Sequence, residues 1–436
     1  MRAFVLLLLG GGLIWAVLVF FPNSDEVEAG DPDGAEPVTE LETPLDQPVP
    51  VAVVDQDRPV EVEEGQAPKI SNPVIEASGG SDLPIGRADE IEIGSLILHS
   101  TSAEVRDWIV ASDSLLGRNL ERGVMAFSLA VDGQRAEARS EWKKIEQPNE
   151  LGPAIKWMLT RALTGDMEAP WPAKMVPSNP LEHGMAMALQ AHEARAWLAA
   201  KQHARAASLI SKVLVAELDS PWPADMASMT QWSDTCRSAQ SGHRWHSKGV
   251  WPSIDMDVQG GDSLTLIRKR FVDQNPGKTL STGLIQKANG MSSDVIHPGQ
   301  LLRIPSEPVT CLVDLGDHWL LYMIGGEVVE SWMVGVGREG DETITGDFIV
   351  GDKQYEPTWW PKGMEPVYYG DPENPLGTRY IIWLEDGEKT AYGFHGTWKP
   401  ESIGKNESDG CIRMHNEDVE ELTRILPVGS SFSVRF

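Results

Sequence analysis

The chain has 436 residues, a formal net charge of −28 at pH 7 and three cysteines. Because one compact core rarely extends over so long a chain, two or three folded domains are expected. The negative charge excludes nucleic acid and anionic lipid surfaces as partners, since both would repel the chain. A disulfide between Cys236 and Cys311 could form in an oxidising compartment, but nothing in the cysteine spacing requires it.

Residues 1–22 are predicted to be a transmembrane anchor. Residues 3–21 are apolar throughout, with Arg2 before them and an acidic run after Pro22. As a helix they would span roughly 28 Å, close to the hydrocarbon core of a bilayer. The charges on the two sides favour an uncleaved single-pass helix with a cytoplasmic N-terminus and the rest of the chain exported. The alternative is a cleaved signal peptide, but no small-residue cleavage site directly follows the apolar run.

Residues 23–99 are predicted to be a disordered acidic linker. They are rich in Asp, Glu, Pro and Gly and contain almost no aromatic residues. Such a segment buries too little apolar surface to offset its ordering entropy, and its charges repel one another. Only residues 91–98 are apolar enough to favour local structure.

Residues 100–250 are predicted to form an all-α domain. Apolar residues recur at helical spacing, as at Val105, Trp108 and Ile109, and two further helices are predicted over residues 181–200 and 204–218. Residues 134–140 resemble residues 202–208 at twice the tetratricopeptide period of about 34 residues. A second internal similarity does not fit this period. The domain is therefore either a scaffold of helical hairpins for a protein partner or a plain helical spacer.

Residues 255–306 combine two strands with two short helices. They contain the run GDSL at 261–264, the turn ANG at 288–290 and the ending PGQLLRIP at 298–305. Together these runs resemble the LysM domain, a βααβ module that binds glycans containing N-acetylglucosamine. The loop at 273–281 is longer than is usual in that family, so the individual glycan contacts stay open. The alternative is a small packing unit that only braces the next domain.

Residues 307–436 are predicted to begin with strands. Residues 309–315 and 319–324 are β-rich, Gly325-Gly326 favours a hairpin turn, and residues 328–336 pair back. Cys311 lies in the first of these strands and is expected to be a buried, unreactive thiol.

The same module contains the run HGTWKPESIGKNESDGCIRM at residues 395–414. His395 and Cys411 are too far apart to meet within one helix or strand, so the fold must bring them together from adjacent elements. An imidazole beside a thiol can lower the thiol pKa and move its proton, which activates the sulfur. The amides of Gly410 and Cys411 are candidates to stabilise an oxyanion, since glycine allows close backbone approach. The alternative is a buried structural cysteine beside an unrelated histidine.

This run resembles the signature of the L,D-transpeptidase (YkuD-like) catalytic domain, HG followed at a fixed distance by S-x-G-C-[IV]-R. Segments at 343–348, 357–361 and 374–379 resemble further family segments. The resemblance implies a mainly β, sandwich-like domain that cross-links bacterial peptidoglycan. It also implies Cys411 as the nucleophile and His395 as the base, with the Gly396 carbonyl holding the imidazole. Many relatives have histidine where this chain has Asp409, whose charge is expected to raise the thiol pKa.

The resemblance leaves three supporting residues with open roles. Ser408 and Thr397 are candidates for supporting hydrogen bonds. Arg413 either pairs with a carboxylate of the stem peptide or braces the loop. No metal or organic cofactor is implied.

The reaction implied is acylation of Cys411 by a tetrapeptide stem, release of D-alanine and transfer to an amine of a neighbouring stem, giving a 3→3 cross-link. A carboxypeptidase or hydrolase that uses water as acceptor, and a non-catalytic peptidoglycan-binding scaffold, are the alternatives. The predicted partners are stem peptides, glycan strands, the membrane through the N-terminal helix and a protein partner for the helical domain.

The predicted chain is therefore a multidomain α+β protein. It comprises a transmembrane anchor, an acidic linker, an all-α domain, a LysM module and a mainly β catalytic domain, over residues 1–22, 23–99, 100–250, 255–306 and 307–436. The predicted location is the inner (cytoplasmic) membrane, with the catalytic part in the periplasm.

Overall fold

The computed structural model describes residues 4–7, 16–19, 92–94, 96–98, 101–111, 117–167, 177–220, 226–245, 249, 251–361 and 364–436. The chain divides into two compact units, Met1–Ser78 and Gly79–Phe436, which are taken separately. Most of the predicted acidic linker lies outside the described residues. Residues 92–94 and 96–98, where local structure was expected, are helical.

The first unit contains an antiparallel pair of strands, β1 (Phe4–Leu7) and β2 (Ala16–Val19). The prediction of a transmembrane helix over residues 3–21, and of the inner-membrane location drawn from it, is therefore wrong. No helix among the described residues is long and apolar enough to cross a bilayer. The sequence contains a physical reason, since three consecutive glycines at 10–12 separate the strands and each costs a helix about 1 kcal/mol.

The second unit begins with helices, which confirms the predicted helical region. The hairpin predicted over residues 181–200 and 204–218 is present, with Asn179 capping its first helix by accepting a hydrogen bond from the Glu182 N–H. The tetratricopeptide similarity stays a prediction. The helices in chain order are α1 (Ser102–Ala111), α2 (Arg118–Val131), α3 (Arg135–Trp142), α4 (Pro153–Thr164), α5 (Pro180–Ala199), α6 (His203–Leu218) and α7 (Met226–His243).

The next segment has the βααβ order predicted from the LysM resemblance. Strand β3 (Ser253–Asp257) pairs antiparallel with β4 (Leu301–Pro305), and helices α8 (Leu264–Gln274) and α9 (Thr282–Ala288) lie between them in the chain. Serine caps both helices, because the side chains of Ser263 and Ser281 accept backbone N–H groups of the first turn.

The described residues that follow contain ten further strands: β5 (Val309–Asp314), β6 (Trp319–Ile324), β7 (Glu327–Met333), β8 (Val336–Gly337), β9 (Gly346–Tyr355), β10 (Arg379–Glu385), β11 (Glu388–His395), β12 (Asn406–Ser408), β13 (Ile412–Arg413) and β14 (Ser431–Arg435). Strand β8 pairs with β12 separately, and the other eight form one mixed sheet in the order β13-β11-β10-β9-β14-β5-β6-β7. Its two ends approach each other, because Gly335, just after β7, exchanges backbone hydrogen bonds of 2.9 and 2.8 Å with Arg413 on β13. The sheet therefore curls towards closure. Helix α10 (Asn416–Ile425) follows β13.

The helical region covers the edge strand β7. The Ser211 hydroxyl accepts the Val328 N–H at 2.8 Å, and Gln240 Nε2 donates to the Val328 carbonyl at 3.0 Å. The Cys236 thiol donates to the same carbonyl at 3.3 Å. An uncovered edge strand is a template for aggregation, so these side chains satisfy groups that would otherwise recruit another strand. Cys236, like the other cysteines, is free, so the disulfide considered from the sequence is absent.

The βααβ segment is fixed to the eight-stranded sheet through α10. The Ser281 hydroxyl lies 3.0 Å from the carbonyls of both Arg424 and Ile425, and Lys287 pairs with Glu421 at 2.6 Å. A Cβ on Gly283 would overlap Arg424, so the two helices approach as closely as a glycine allows. Apolar side chains of both modules share one core.

Candidate active site

Three polar side chains stand in a row across neighbouring strands. Tyr380 on β10 is paired with His395 on β11, and His395 is paired with Arg413 on β13. Paired residues of adjacent strands point to the same face of a sheet, so these side chains share one face. Cys411 lies two residues before Arg413, so the register of β11 with β13 puts it level with Gly393, two residues before His395 on β11. The end of β11 at His395 and the segment of Cys411 just before β13 are thus neighbours in the sheet.

The His395 imidazole is buried, with 3% of its surface exposed. Its Nδ1 is 2.6 Å from the Gly396 carbonyl oxygen, which can only accept, so Nδ1 carries the proton. The pKa of His395 is lowered to about 4, chiefly by burial; the hydrogen bond to the Gly396 carbonyl opposes this shift and the Arg413 charge adds to it. The ring is therefore neutral at pH 7, and its Nε2 is free of a proton and basic.

The Cys411 thiol is partly exposed, and its pKa is raised to about 11, chiefly by burial of the sulfur. The Gly393 N–H, the Tyr380 hydroxyl and the Arg413 charge lower this pKa, whereas Asp409 raises it as expected. The sequence predicted a thiol pKa lowered by the imidazole. The thiol pKa is instead raised, chiefly by burial, so the thiol and the imidazole are both neutral at pH 7.

Tyr380 is a residue of the site that was not predicted from the sequence. Its hydroxyl donates to the Cys411 sulfur, and burial together with this contact raises the pKa of Tyr380. Gly393 permits the contact, because a Cβ there would lie 2.5 Å from the Tyr380 ring. No motif marks Tyr380 in the sequence; its position becomes apparent only once the pairing of β10 with β11 is known.

The loop before Cys411 is held by Ser408. The Ser408 hydroxyl donates to the Cys411 carbonyl at 2.6 Å and accepts the Gly410 N–H at 3.1 Å. Gly410 has φ of +103°, and a Cβ there would lie 2.7 Å from the Tyr392 ring. Thr397 supports the other loop, because its hydroxyl accepts the Lys399 N–H at 3.0 Å. The structure therefore places Ser408 and Thr397 as loop supports, with the Gly410 amide engaged by Ser408.

The two charged residues near the thiol differ in their partners. Arg338 lies 2.7 Å from both Asp409 and Asp341, so an ion pair offsets the Asp409 charge. The backbone of Arg413 is held by its two hydrogen bonds with Gly335. The side-chain Nε of Arg413 is buried and has no hydrogen-bond acceptor among the described residues. Across the described part of the chain, no three His, Cys, Asp or Glu side chains are arranged to hold a metal ion.

Comparison with known proteins gives two matching family models: the L,D-transpeptidase catalytic domain over residues 308–434 and the LysM domain over residues 257–305. The putative L,D-transpeptidase YkuD of Bacillus subtilis (strain 168) is 32% identical over 187 residues, which cover 42% of this chain and 98% of that protein. The putative L,D-transpeptidase YqjB of the same organism is 37% identical over 128 residues, which cover 29% of this chain and 70% of that protein.

Solved structures of the same family also match. An L,D-transpeptidase from Mycobacterium smegmatis is 20% identical with a TM-score of 0.26, and the match covers 32% of this chain and 64% of that one. The catalytic domain of the E. faecium L,D-transpeptidase is 23% identical with a TM-score of 0.24, over 29% of this chain and 97% of that one. On the family models and the Bacillus relatives, this chain belongs to the L,D-transpeptidase family and has a LysM domain before its catalytic domain.

Proposed function

We propose that this protein is a cysteine-dependent peptidoglycan L,D-transpeptidase that forms 3→3 cross-links. The observation that carries the proposal is the cross-strand row of Tyr380, His395 and Arg413, with Cys411 beside it. The row places a base, a hydrogen-bond donor and a cation on the face of the sheet that also presents the thiol.

The proton moves as the sulfur attacks, because the resting thiol and imidazole are both neutral. Cys411 Sγ bonds to the carbonyl carbon of the third stem residue while His395 Nε2 takes the thiol proton. The Cys411 amide is the candidate donor to the oxyanion. The intermediate collapses with cleavage of the amide bond, and the imidazolium gives its proton to the departing D-alanine amine. A thioester to Cys411 remains.

The second half of the reaction regenerates the thiol. An amine of a neighbouring stem attacks the thioester carbonyl and loses a proton to His395. The C–S bond breaks, the sulfur takes up that proton, and the new amide is the 3→3 cross-link. With water in place of the amine, the same steps release a trimmed stem.

Arg413 is proposed to bind a stem carboxylate. A guanidinium matches the planar carboxylate, and the Arg413 Nε has no acceptor among the described residues. The backbone of Arg413, through its two hydrogen bonds with Gly335, already holds this part of the loop. The LysM module is proposed to hold the glycan strand from which the stem extends.

An intact-mass measurement tests the proposal. The full chain is incubated with a disaccharide-tetrapeptide, and a mass gain equal to the substrate minus D-alanine is expected on Cys411. Cys411→Ala should give no adduct, whereas Cys311→Ala, which removes a buried thiol of the same sheet, should still give one. Product analysis then distinguishes a cross-linked dimer from a trimmed stem. Absence of both adduct and product would favour a non-catalytic scaffold.

A further inference from the structure

Asn416, the first residue of α10, uses both atoms of its carboxamide in contacts with the loops around His395. Its Oδ1 accepts the Thr378 N–H at 3.1 Å, and its Nδ2 donates to the Thr397 carbonyl at 3.0 Å. Thr378 precedes β10, and Thr397 follows the end of β11. One side chain therefore joins two loops that meet at the imidazole.

Hydrogen bonds hold the backbone on both sides of the Gly396 carbonyl. The Gly396 N–H donates to the Arg379 carbonyl at 3.2 Å, and the next carbonyl along the chain, that of Thr397, accepts from Asn416. These two bonds hold the peptide groups before and after the one that contains the Gly396 carbonyl, which restricts the backbone rotations that could turn this carbonyl away. That carbonyl is the group that accepts from His395 Nδ1.

Two glycines leave the space in which the Asn416 carboxamide lies. A Cβ on Gly396 would overlap Asn416 Oδ1, and so would a Cβ on Gly377, whose φ is +62°. The backbone closes around the carboxamide, so a side chain at either glycine would displace it from its present position. Aspartate at 416 would keep the acceptor for Thr378 but would lack the donor to Thr397.

We propose that Asn416 is a positioning residue that holds the Gly396 carbonyl against His395 Nδ1 and so selects the tautomer whose Nε2 faces the reaction. Only the kinetic consequence of this inference rests on the proposed function. A neutral imidazole carries one ring proton, and a proton at Nε2 would leave no base for the thiol. Loss of a group that holds the tautomer can reduce turnover by up to about 10⁴-fold in enzymes that use histidine as base.

The test compares Asn416→Ala and Asn416→Asp with the unchanged full chain. The tautomer of His395 is read from the ring ¹⁵N chemical shifts of histidine-labelled protein, with His395→Gln identifying the signal. In the unchanged protein, Nδ1 is expected to be protonated and Nε2 bare. Both Asn416 variants should shift population towards the tautomer protonated at Nε2.

The kinetic readout is acylation by the disaccharide-tetrapeptide across pH. We expect a loss of at least about tenfold at neutral pH in both variants. The acidic limb of the profile should also move to lower pH, because a weakened Gly396 hydrogen bond no longer favours the protonated imidazole. If the unchanged protein proves unable to acylate, the ¹⁵N measurement still decides the role of Asn416.

Asn289 supplies a matched control in the LysM module. Its carboxamide also bridges backbone groups, donating to the Ile285 and Arg303 carbonyls and accepting the Arg303 N–H, at 2.8 to 2.9 Å. Asn289→Ala should lower thermal stability without changing the His395 tautomer. An unchanged tautomer in folded Asn416→Ala would overturn the proposal, as would an equal change in Asn289→Ala. If Asn416→Asp keeps the native tautomer, the hydrogen bond from Asn416 to the Thr397 carbonyl is not what positions the imidazole.

Discussion

Replacing Tyr380 with phenylalanine removes the hydroxyl group that donates a hydrogen bond to the Cys411 sulfur. A hydrogen bond to a charged group contributes about 1.5 to 3 kcal/mol, so its loss should raise the pKa of the thiol by about 1 to 2. The thiol pKa rises because the Tyr380 hydroxyl stabilises the thiolate, and its removal takes that stabilisation away. The fraction of thiolate at a fixed pH below the pKa should fall about 10- to 100-fold.

The assay is alkylation by iodoacetamide as a function of pH, followed by mass at Cys411. Cys236 and Cys311 are fully buried and their thiol pKa values are raised, so they contribute little background. Tyr322→Phe is the matched control, because it removes a buried hydroxyl of the same sheet that donates to the Ile425 carbonyl at 3.1 Å. It should cost stability and leave the alkylation profile unchanged. A Tyr380→Phe profile that coincides with that of the unchanged protein would refute the contact between the hydroxyl and the sulfur.

Three further changes should have measurable results. The pKa of His395 lies below its ordinary value, so the unfolded chain binds a proton at this ring more readily than the folded chain does. The free energy of unfolding should therefore fall by about 3 kcal/mol as the pH is lowered from 6.5 to about 4. In His395→Gln, urea unfolding should show a smaller fall over the same range. Asp409→Asn should lower the thiol pKa slightly and speed alkylation of Cys411 by less than about threefold; slower alkylation would contradict the charge effect. Ser211→Ala leaves the Val328 N–H without its acceptor, so it should lower the free energy of unfolding by about 1 to 3 kcal/mol, and an unchanged urea midpoint would count against edge capping.

Much of the fold followed from local sequence patterns. The helical hairpin, the βααβ segment and the first strands of the catalytic sheet lie within a few residues of their predicted positions, because periodicity, capping residues and glycine turns act locally. The N-terminal apolar run was misread because its length and flanking charges were given more weight than the three glycines that interrupt it.

The candidate site was only partly predictable, because several of its properties arise from pairing between distant segments. The motif placed His395 near Cys411, but Tyr380 reaches the sulfur through the register of β10 with β11, which contains a bulge near Ile382. Asn416 lies just beyond the quoted motif, and its role depends on two loops that close around it. The thiol pKa is set mainly by burial, which no short motif records.

The position of β14 has a consequence for synthesis. This strand, at Ser431–Arg435, lies inside the sheet, parallel to β5 and antiparallel to β9. The half of the sheet that carries β10, β11 and β13 is joined to the half that carries β5, β6 and β7 through this late segment. While the chain is being made, the residues around Cys411 emerge first, but the pairing of β9 with β14 and of β14 with β5 can form only once β14 has been made. The sheet around Cys411 is thus expected to be complete only after this strand has been translated.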